Sequence, residues 1–195
     1  MDTLINFSGG VDSTYVAWDW LKNNPGRKAL LHHVNLKSPE AFRRHKKEKK
    51  AVQDILKWFN QNSLANYEYL ESTFDYKSFR YNEKDVTIVM FITGVLLKNP
   101  KRNSITKIIM PNNADDFSRW DYTDQSLPRF RVLKEMVPRN IEFLFPIREL
   151  KKPELAGAMP RDLFKLTWYC RRPTPQYKEC GSCNPCKEVK QKLRR

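Results

Sequence analysis

A chain of 195 residues with 40% hydrophobic content can bury one sizeable core, which excludes a disordered or fibrous protein. No apolar run approaches a membrane span, and Met1-Asp2 leads directly into a short apolar run without a basic, signal-like stretch, so a cytoplasmic protein with no membrane role is expected. The net charge of +14 is clustered, with +5 between Lys37 and Lys50 and +7 from Arg161 to Arg195, which admits a nucleic-acid partner without requiring one.

Leu4-Ile5-Asn6-Phe7 reads as a first strand that runs into Ser8-Gly9-Gly10-Val11-Asp12-Ser13-Thr14, followed by an amphipathic helix from Tyr15 to Lys22. Adjacent glycines reach backbone conformations closed to other residues and let an anion approach the main chain. The helix that follows turns its unpaired N–H groups and the positive end of its dipole toward the same point. Hydroxyls from Ser8, Ser13 and Thr14 add donors, so Phe7 to Thr14 is read as a phosphate cradle. It lacks the G-x-x-x-x-G-K-[ST] spacing of kinases and GTPases. A carboxylate at Asp12 inside such a cradle makes sense if a cation bridges it to the ligand, so magnesium is expected. The stretch resembles the SGG-x-DS signature of the PP-loop ATP pyrophosphatases, enzymes that split ATP between the α- and β-phosphates and hold the pyrophosphate in this loop.

Further along, Ala29 to Leu36 reads as a second strand, in which His32 and His33 are expected as packed or exposed side chains rather than ligands. A helix is expected from Pro39 to Asn60, capped by Ser38, with Ala51, Ile55, Trp58 and Phe59 on its core face. Tyr67 to Leu70 suits a third strand, Phe74 to Asn82 an exposed connection, and Asp85 to Lys98 a buried helix, being too long for a strand. Ile105 to Met110 forms the fourth strand, Asp124 to Met136 a helix interrupted near Pro128, and Ile141 to Phe145 the fifth strand. This alternation predicts an α/β fold, a parallel five-stranded Rossmann-like sheet with helices on both faces. Ligands of such sheets lie beyond the carboxyl ends of the strands, which singles out the glycine loop, Lys37 and Ser38, Pro111 to Asp116, and Arg148 to Lys152.

All four cysteines, Cys170, Cys180, Cys183 and Cys186, follow the spacing C-x9-C-x2-C-x2-C. Two C-x-x-C steps sharing a middle cysteine put three thiolates on one knuckle and Cys170 closes the shell, which suits a structural tetrahedral zinc. An iron–sulfur cluster uses the same ligands and is the alternative. A disulfide framework is disfavoured in a reducing compartment. Arg171, Arg172, Lys178 and Lys187 would offset the negative charge of a zinc tetrathiolate. The chain thus divides into a nucleotide-binding domain over residues 1–160 and a C-terminal zinc-binding segment, residues 161–195, packed on it.

Together the glycine loop and the sequence Trp168-Tyr169-Cys170 ahead of Cys180-Gly181-Ser182-Cys183-Asn184-Pro185-Cys186 resemble the 7-cyano-7-deazaguanine synthase (QueC) family of queuosine biosynthesis. Arg44-His45-Lys46 with Glu48, Ile108-Ile109 ahead of Asp116-Phe117-Ser118, and Lys152-Pro153-Glu154 are similar to that family's motifs. The resemblance implies an ATP-dependent ligase that adenylates 7-carboxy-7-deazaguanine and amidates it with ammonia to give the nitrile, releasing AMP and pyrophosphate. It implies Lys152, Arg44 and His45 as catalytic, Phe7 to Thr14 as the ATP site, Asp116, Phe117 and Ser118 as the substrate site, and zinc on the cysteines. The chain departs from the family pattern at Pro111, at Lys84-Asp85 and from Arg119 to Asp124, all on the substrate side. A related deazapurine, with reaction halting at the amide, therefore stays open, as do a PP-loop enzyme that modifies RNA and a non-catalytic zinc-bearing nucleic-acid binder. A homodimer is left open too.

Overall fold

The computed structural model describes residues 1–38, 43–81, 84–117 and 128–192. Five parallel strands, β1 (Thr3–Asn6), β2 (Ala29–Lys37), β3 (Tyr67–Asp75), β4 (Lys107–Ile109) and β5 (Glu142–Leu144), form one sheet in the order β3-β2-β1-β4-β5. The chain builds outward from β1 to β3 and then crosses back to place β4 on the other side of β1. That reversal opens a crevice between the carboxyl ends of β1 and β4.

The register explains why the three central strands carry adjacent apolar residues that face both sides of the sheet. Ile5 pairs with Leu31 and Ile109 and faces one side of the sheet, while Leu4 pairs with Leu30 and Ile108 and faces the other. The first side is covered by helices α1 (Val11–Asn23), α2 (Arg44–Gln61), α6 (Lys152–Ala158) and α7 (Arg161–Leu166), whose Val16, Leu21, Ile55, Phe59, Leu155 and Leu163 join the core. The second is covered by α3 (Asp85–Leu97) and α5 (Pro128–Met136), through Met90, Leu97, Phe130 and Leu133. A short α4 (Ala114–Phe117) follows β4, and α8 (Asn184–Lys192) closes the described chain. Gly94 lets α3 and α5 approach closely, since a Cβ there would stand 2.9 Å from Met136 Sδ.

Several expectations are corrected. The second helix starts at Arg44 with Arg43 as its N-cap, not at Ser38-Pro39; residues 39–42 lie outside the described residues, as do residues 124–127 of the helix expected from Asp124 to Met136. β3 runs on to Asp75, paired with β2 throughout, so Phe74 belongs to a strand. The rest of that stretch, described as far as Tyr81, is the connection expected: Lys77–Phe79 form a short 3-10 turn, and Phe79 and Tyr81 are exposed. α3 is not buried all round: Phe91 is 43% and Val95 50% exposed, because α3 packs on β2 and α5 and no other described element covers its outer side. His32 and His33 are packed core groups. His32 hydrogen-bonds Ser72 Oγ at 2.9 Å, and burial followed by the nearby His33 pushes its pKa down to about 4. His33 donates from Nδ1 to the carbonyl of Phe7 at 3.0 Å, which fixes the end of β1 beneath the glycine loop.

Candidate active site and cysteine centre

The glycine loop is held from three sides. Gly9 has φ +74, a conformation that suits glycine, and a Cβ there would lie 3.0 Å from Val52 Cγ2 and 3.1 Å from Val52 N. Its carbonyl accepts a 2.9 Å hydrogen bond from the N–H of Trp168, so the C-terminal segment clamps the loop against α2. Ser13 Oγ accepts from the N–H of Ser8 at 3.1 Å and lies 3.0 Å from Ser8 Oγ. Ser8 is exposed, whereas Ser13 and Thr14 are buried, so Ser8 is the hydroxyl facing a ligand and Ser13 shapes the turn. Gly10 caps α1 without any side-chain bond, which leaves the first N–H groups of the helix for an anion.

Asp12, in the first turn of α1, links the loop to three other elements. Its Oδ1 accepts from Asn113 Nδ2 at 2.9 Å, while the Asn113 oxygen caps α4 by accepting from the N–H groups of Asp115 (2.9 Å) and Asp116 (3.2 Å). Asp12 Oδ2 lies 3.6 Å from Lys152 Nζ, and the same ammonium lies 3.2 Å from Glu188 Oε2 on α8. Lys152 opens α6, at the positive end of a helix dipole and only 16% exposed, an unfavourable place for a cation without these carboxylates. Burial would push its pKa down, but Asp12 and Glu188 outweigh burial and hold it above the usual value. Burial pushes the Asp12 carboxyl up, with Lys152 opposing. Glu154, part of the Lys-Pro-Glu stretch, accepts from the N–H of Lys151 at 2.6 Å and so caps α6.

Lys152, Asp116 and Glu188 share the wall of a cavity of about 660 Å³ with Asp85, Arg129 and Arg171. Its far side is built from the knuckle residues Ser182, Cys183, Asn184 and Pro185. Asp116 also accepts from the N–H of Asn113 at 3.3 Å, so it braces the β4 turn while lining the cavity. Phe117 lies edge-on to Phe145, with the Arg148 guanidinium 5.6 Å from its ring. Ser118 and residues 119–124 lie outside the described residues.

Arg44 is held by two carboxylates, Glu48 and Asp85, each at 2.7 Å, and Asp85 carries that contact to the cavity wall. His45 points to a different neighbourhood, near Lys37, Lys46, Lys77 and Asp75. Burial and then those lysines lower its pKa, leaving it neutral at pH 7. The basic face of α2 is largely engaged: Lys49 pairs with Glu71, Lys50 with Asp54, and Lys47 lies 5.0 Å from the Trp168 ring.

The four cysteine sulfurs lie within 4.8 Å of one another, and Cys170 and Cys186 are buried. The N–H of Cys180 donates to Cys170 Sγ and that of Cys183 to Cys180 Sγ, both at 3.3 Å, the kind of donor that steadies a thiolate. Bonds of about 2.3 Å to one tetrahedral ion place sulfurs about 3.8 Å apart, so the set fits a metal.

Sequence reasoning missed Glu188 and the double role of Asn113. Glu188 stands two residues after the last cysteine, on the turn of α8 that follows Cys186, and that spacing was the available signal. The pairing with Lys152 crosses 36 residues and leaves no local trace.

The profile of the family described as queuosine biosynthesis protein QueC matches residues 2–195. No curated protein matches the chain in sequence. Among solved structures it is similar to the U34-tRNA thiolase NcsA from Methanococcus maripaludis, solved with its 4Fe-4S cluster, at 14% identity and a TM-score of 0.53 over 98% of this chain and 63% of the thiolase. The chain thus spans less than two thirds of that protein's length. It is likewise similar to the NMN synthetase from Francisella tularensis, at 12% identity and a TM-score of 0.54 over 98% of this chain and 76% of the synthetase. At such identities the likeness carries the fold alone.

Proposed function

The chain belongs to the QueC family, and from that premise we propose that this PP-loop enzyme is an ATP-dependent ligase that converts 7-carboxy-7-deazaguanine and ammonia to 7-cyano-7-deazaguanine, releasing AMP and pyrophosphate. The observation that carries the reading is Lys152, held 3.6 Å from Asp12 at the glycine loop and on the wall of the cavity that Asp116 also lines. A carboxylate is a poor electrophile until one oxygen becomes a leaving group, so AMP must be attached before ammonia attacks; that attack expels AMP and gives the amide, whose remaining oxygen must be adenylated by a second ATP and leave with its AMP for the nitrile to form. The N–H groups of the glycine loop and of the first turn of α1 would hold the departing pyrophosphate, and Lys152 would meet the charge that builds on the α-phosphate. Asp12 would hold a magnesium ion, which neutralises polyphosphate charge when bound. Asp116 would accept the paired N–H donors of a guanine edge. Arg44 would order the α3 wall through Asp85, whereas His45, set among Lys37, Lys77 and Asp75 away from the cavity wall, takes no step in this reading.

For the cysteines we propose zinc. A sulfur set this compact supports one metal atom, because a four-iron cluster binds each thiolate to a different iron and so spreads the sulfurs further apart.

Incubation with ATP, ammonium and 7-carboxy-7-deazaguanine, read by mass spectrometry, tests the activity. Acid-stimulated AMP and the nitrile mass are expected, and the amide mass alone would narrow the product to the amide. No stimulation by any 7-deazaguanine acid would remove the ligase reading. A second reading, in which the base belongs to a polynucleotide, is favoured by Phe79 and Tyr81, 71% and 68% exposed beside Lys77 and Arg80. Salt-dependent binding of single-stranded RNA, lost in Phe79→Ala, would support it.

A further inference from the structure

α8 carries both a cysteine of the metal centre and the carboxylate that holds Lys152. Cys186 is buried and Glu188 follows it by two residues on the same helix, reaching 3.2 Å from Lys152 Nζ. Among the described residues no α8 side chain belongs to either apolar core. Its described anchors include the thiolates of Cys183 and Cys186 at one end and the contact of Glu188 with Lys152 on its side. Metal binding is folding free energy for such a knuckle, since the ligands gather only around the ion. The side chains of Lys152, Glu188 and Asp12 are 16%, 20% and 23% exposed, so little solvent competes for their contacts.

We propose that Glu188 is a positioning residue that tethers Lys152 toward the glycine loop, and that the cysteine centre sets this tether by fixing α8. The metal centre then does more than stabilise the C-terminal segment, because its occupancy decides where the Lys152 ammonium stands. Loss of the ion frees α8, withdraws Glu188 and leaves Lys152, among the described residues, with Asp12 as its ion-pair partner and Asp116 nearby. The catalytic consequence rests on the ligase reading above; the tether itself does not.

Reductive methylation of lysines, mapped by peptide mass spectrometry, tests the tether without substrate. The full-length protein is used metal-loaded and metal-stripped, as wild type and as Glu188→Gln, with the exposed Lys57 as internal standard. Removing an opposite charge at this distance lowers an amine's pKa by about one unit, so Lys152 should react about tenfold faster in Glu188→Gln. Metal stripping should give the same rise in wild type and no further rise in the variant. Unchanged Lys152 reactivity in Glu188→Gln would overturn the tether, and an equal rise on stripping in both backgrounds would overturn its control by the metal. In the AMP-release assay, loaded Glu188→Gln should keep one metal per chain and an ATP KM within about twofold of wild type while kcat falls about tenfold. A methylation result as expected with kcat unchanged would fault the role given to Lys152 in the ligase reading, not the tether.

Discussion

Replacing Asp12 by asparagine separates what this carboxylate does for the fold from what it does for ATP. Asparagine keeps the shape and the Oδ1 acceptor for Asn113 but removes the charge 3.6 Å from Lys152. Two unit charges at that distance attract by about 5 kcal/mol at an effective dielectric of 20. The raised pKa of Asp12 nevertheless means that burial opposes its charge more than Lys152 favours it. A carboxyl whose folded pKa lies above its unfolded value favours folding fully below the unfolded value, and that contribution is lost as pH rises through the folded one. At pH 7 the ionised group is therefore a net cost to stability, and Lys152 keeps Glu188 when Asp12 is neutralised. Asp12→Asn should be as stable as wild type or more so, and any gain should shrink as pH falls into the ordinary carboxylate range. AMP release should fall by about 100-fold or more, as when one preorganised charge-stabilising group is removed from an active site. Melts at several pH values and chromatographic AMP assays measure both arms. Undiminished AMP release, or a Tm lowered by more than about 4 °C, would refute the reasoning.

Cys183→Ser should lose the one metal per chain that elemental analysis of wild type is expected to find, and its C-terminal segment should become protease-sensitive. Colourless wild-type protein without zinc would dismiss a zinc site, and brown protein containing iron would assign the cysteines to a cluster. Asp116→Asn preserves an oxygen for the N–H of Asn113 but weakens acceptance of a guanine edge, so the apparent KM for 7-carboxy-7-deazaguanine should rise about 10–100-fold, from 1–3 kcal/mol per lost partner. An equal rise in the KM for ATP would count against a substrate role. Arg44→Ala strips the cation from Glu48 and Asp85, of which Glu48 is only 12% exposed, and should cost about 3–5 kcal/mol in urea unfolding. A variant as stable as wild type would mean the pair of bonds does not hold α2 to α3.

Local patterns in the sequence determined the parallel sheet, the strand-loop-helix cradle and the four-thiolate knuckle. Each is a short-range signal: short, largely apolar segments at Leu4–Phe7 and Ala29–Leu36, two glycines before a helix, and cysteines at two-residue intervals. The errors fell where one face of an element meets water. Phe74, between the exposed Thr73 and Asp75, has no apolar run around it to mark a strand, and the composition of α3 does not reveal that no other described helix covers Phe91 and Val95.

Only the tertiary structure decided how the site is wired. Asn113 was one polar residue among several in a turn; folding makes its nitrogen hold Asp12 and its oxygen cap α4. Arg44 was a candidate catalyst on a basic helix; folding sets it between two carboxylates, one from α3. Glu188 drew no notice until α8 came to rest beside Lys152. Backbone conformation and periodicity follow from neighbours in the chain, so they can be read along it. Charges separated by dozens or a hundred residues meet only after the crossover from β3 to β4 has closed the crevice. Their energies depend on burial and on distances of a few ångströms, which no stretch of sequence contains.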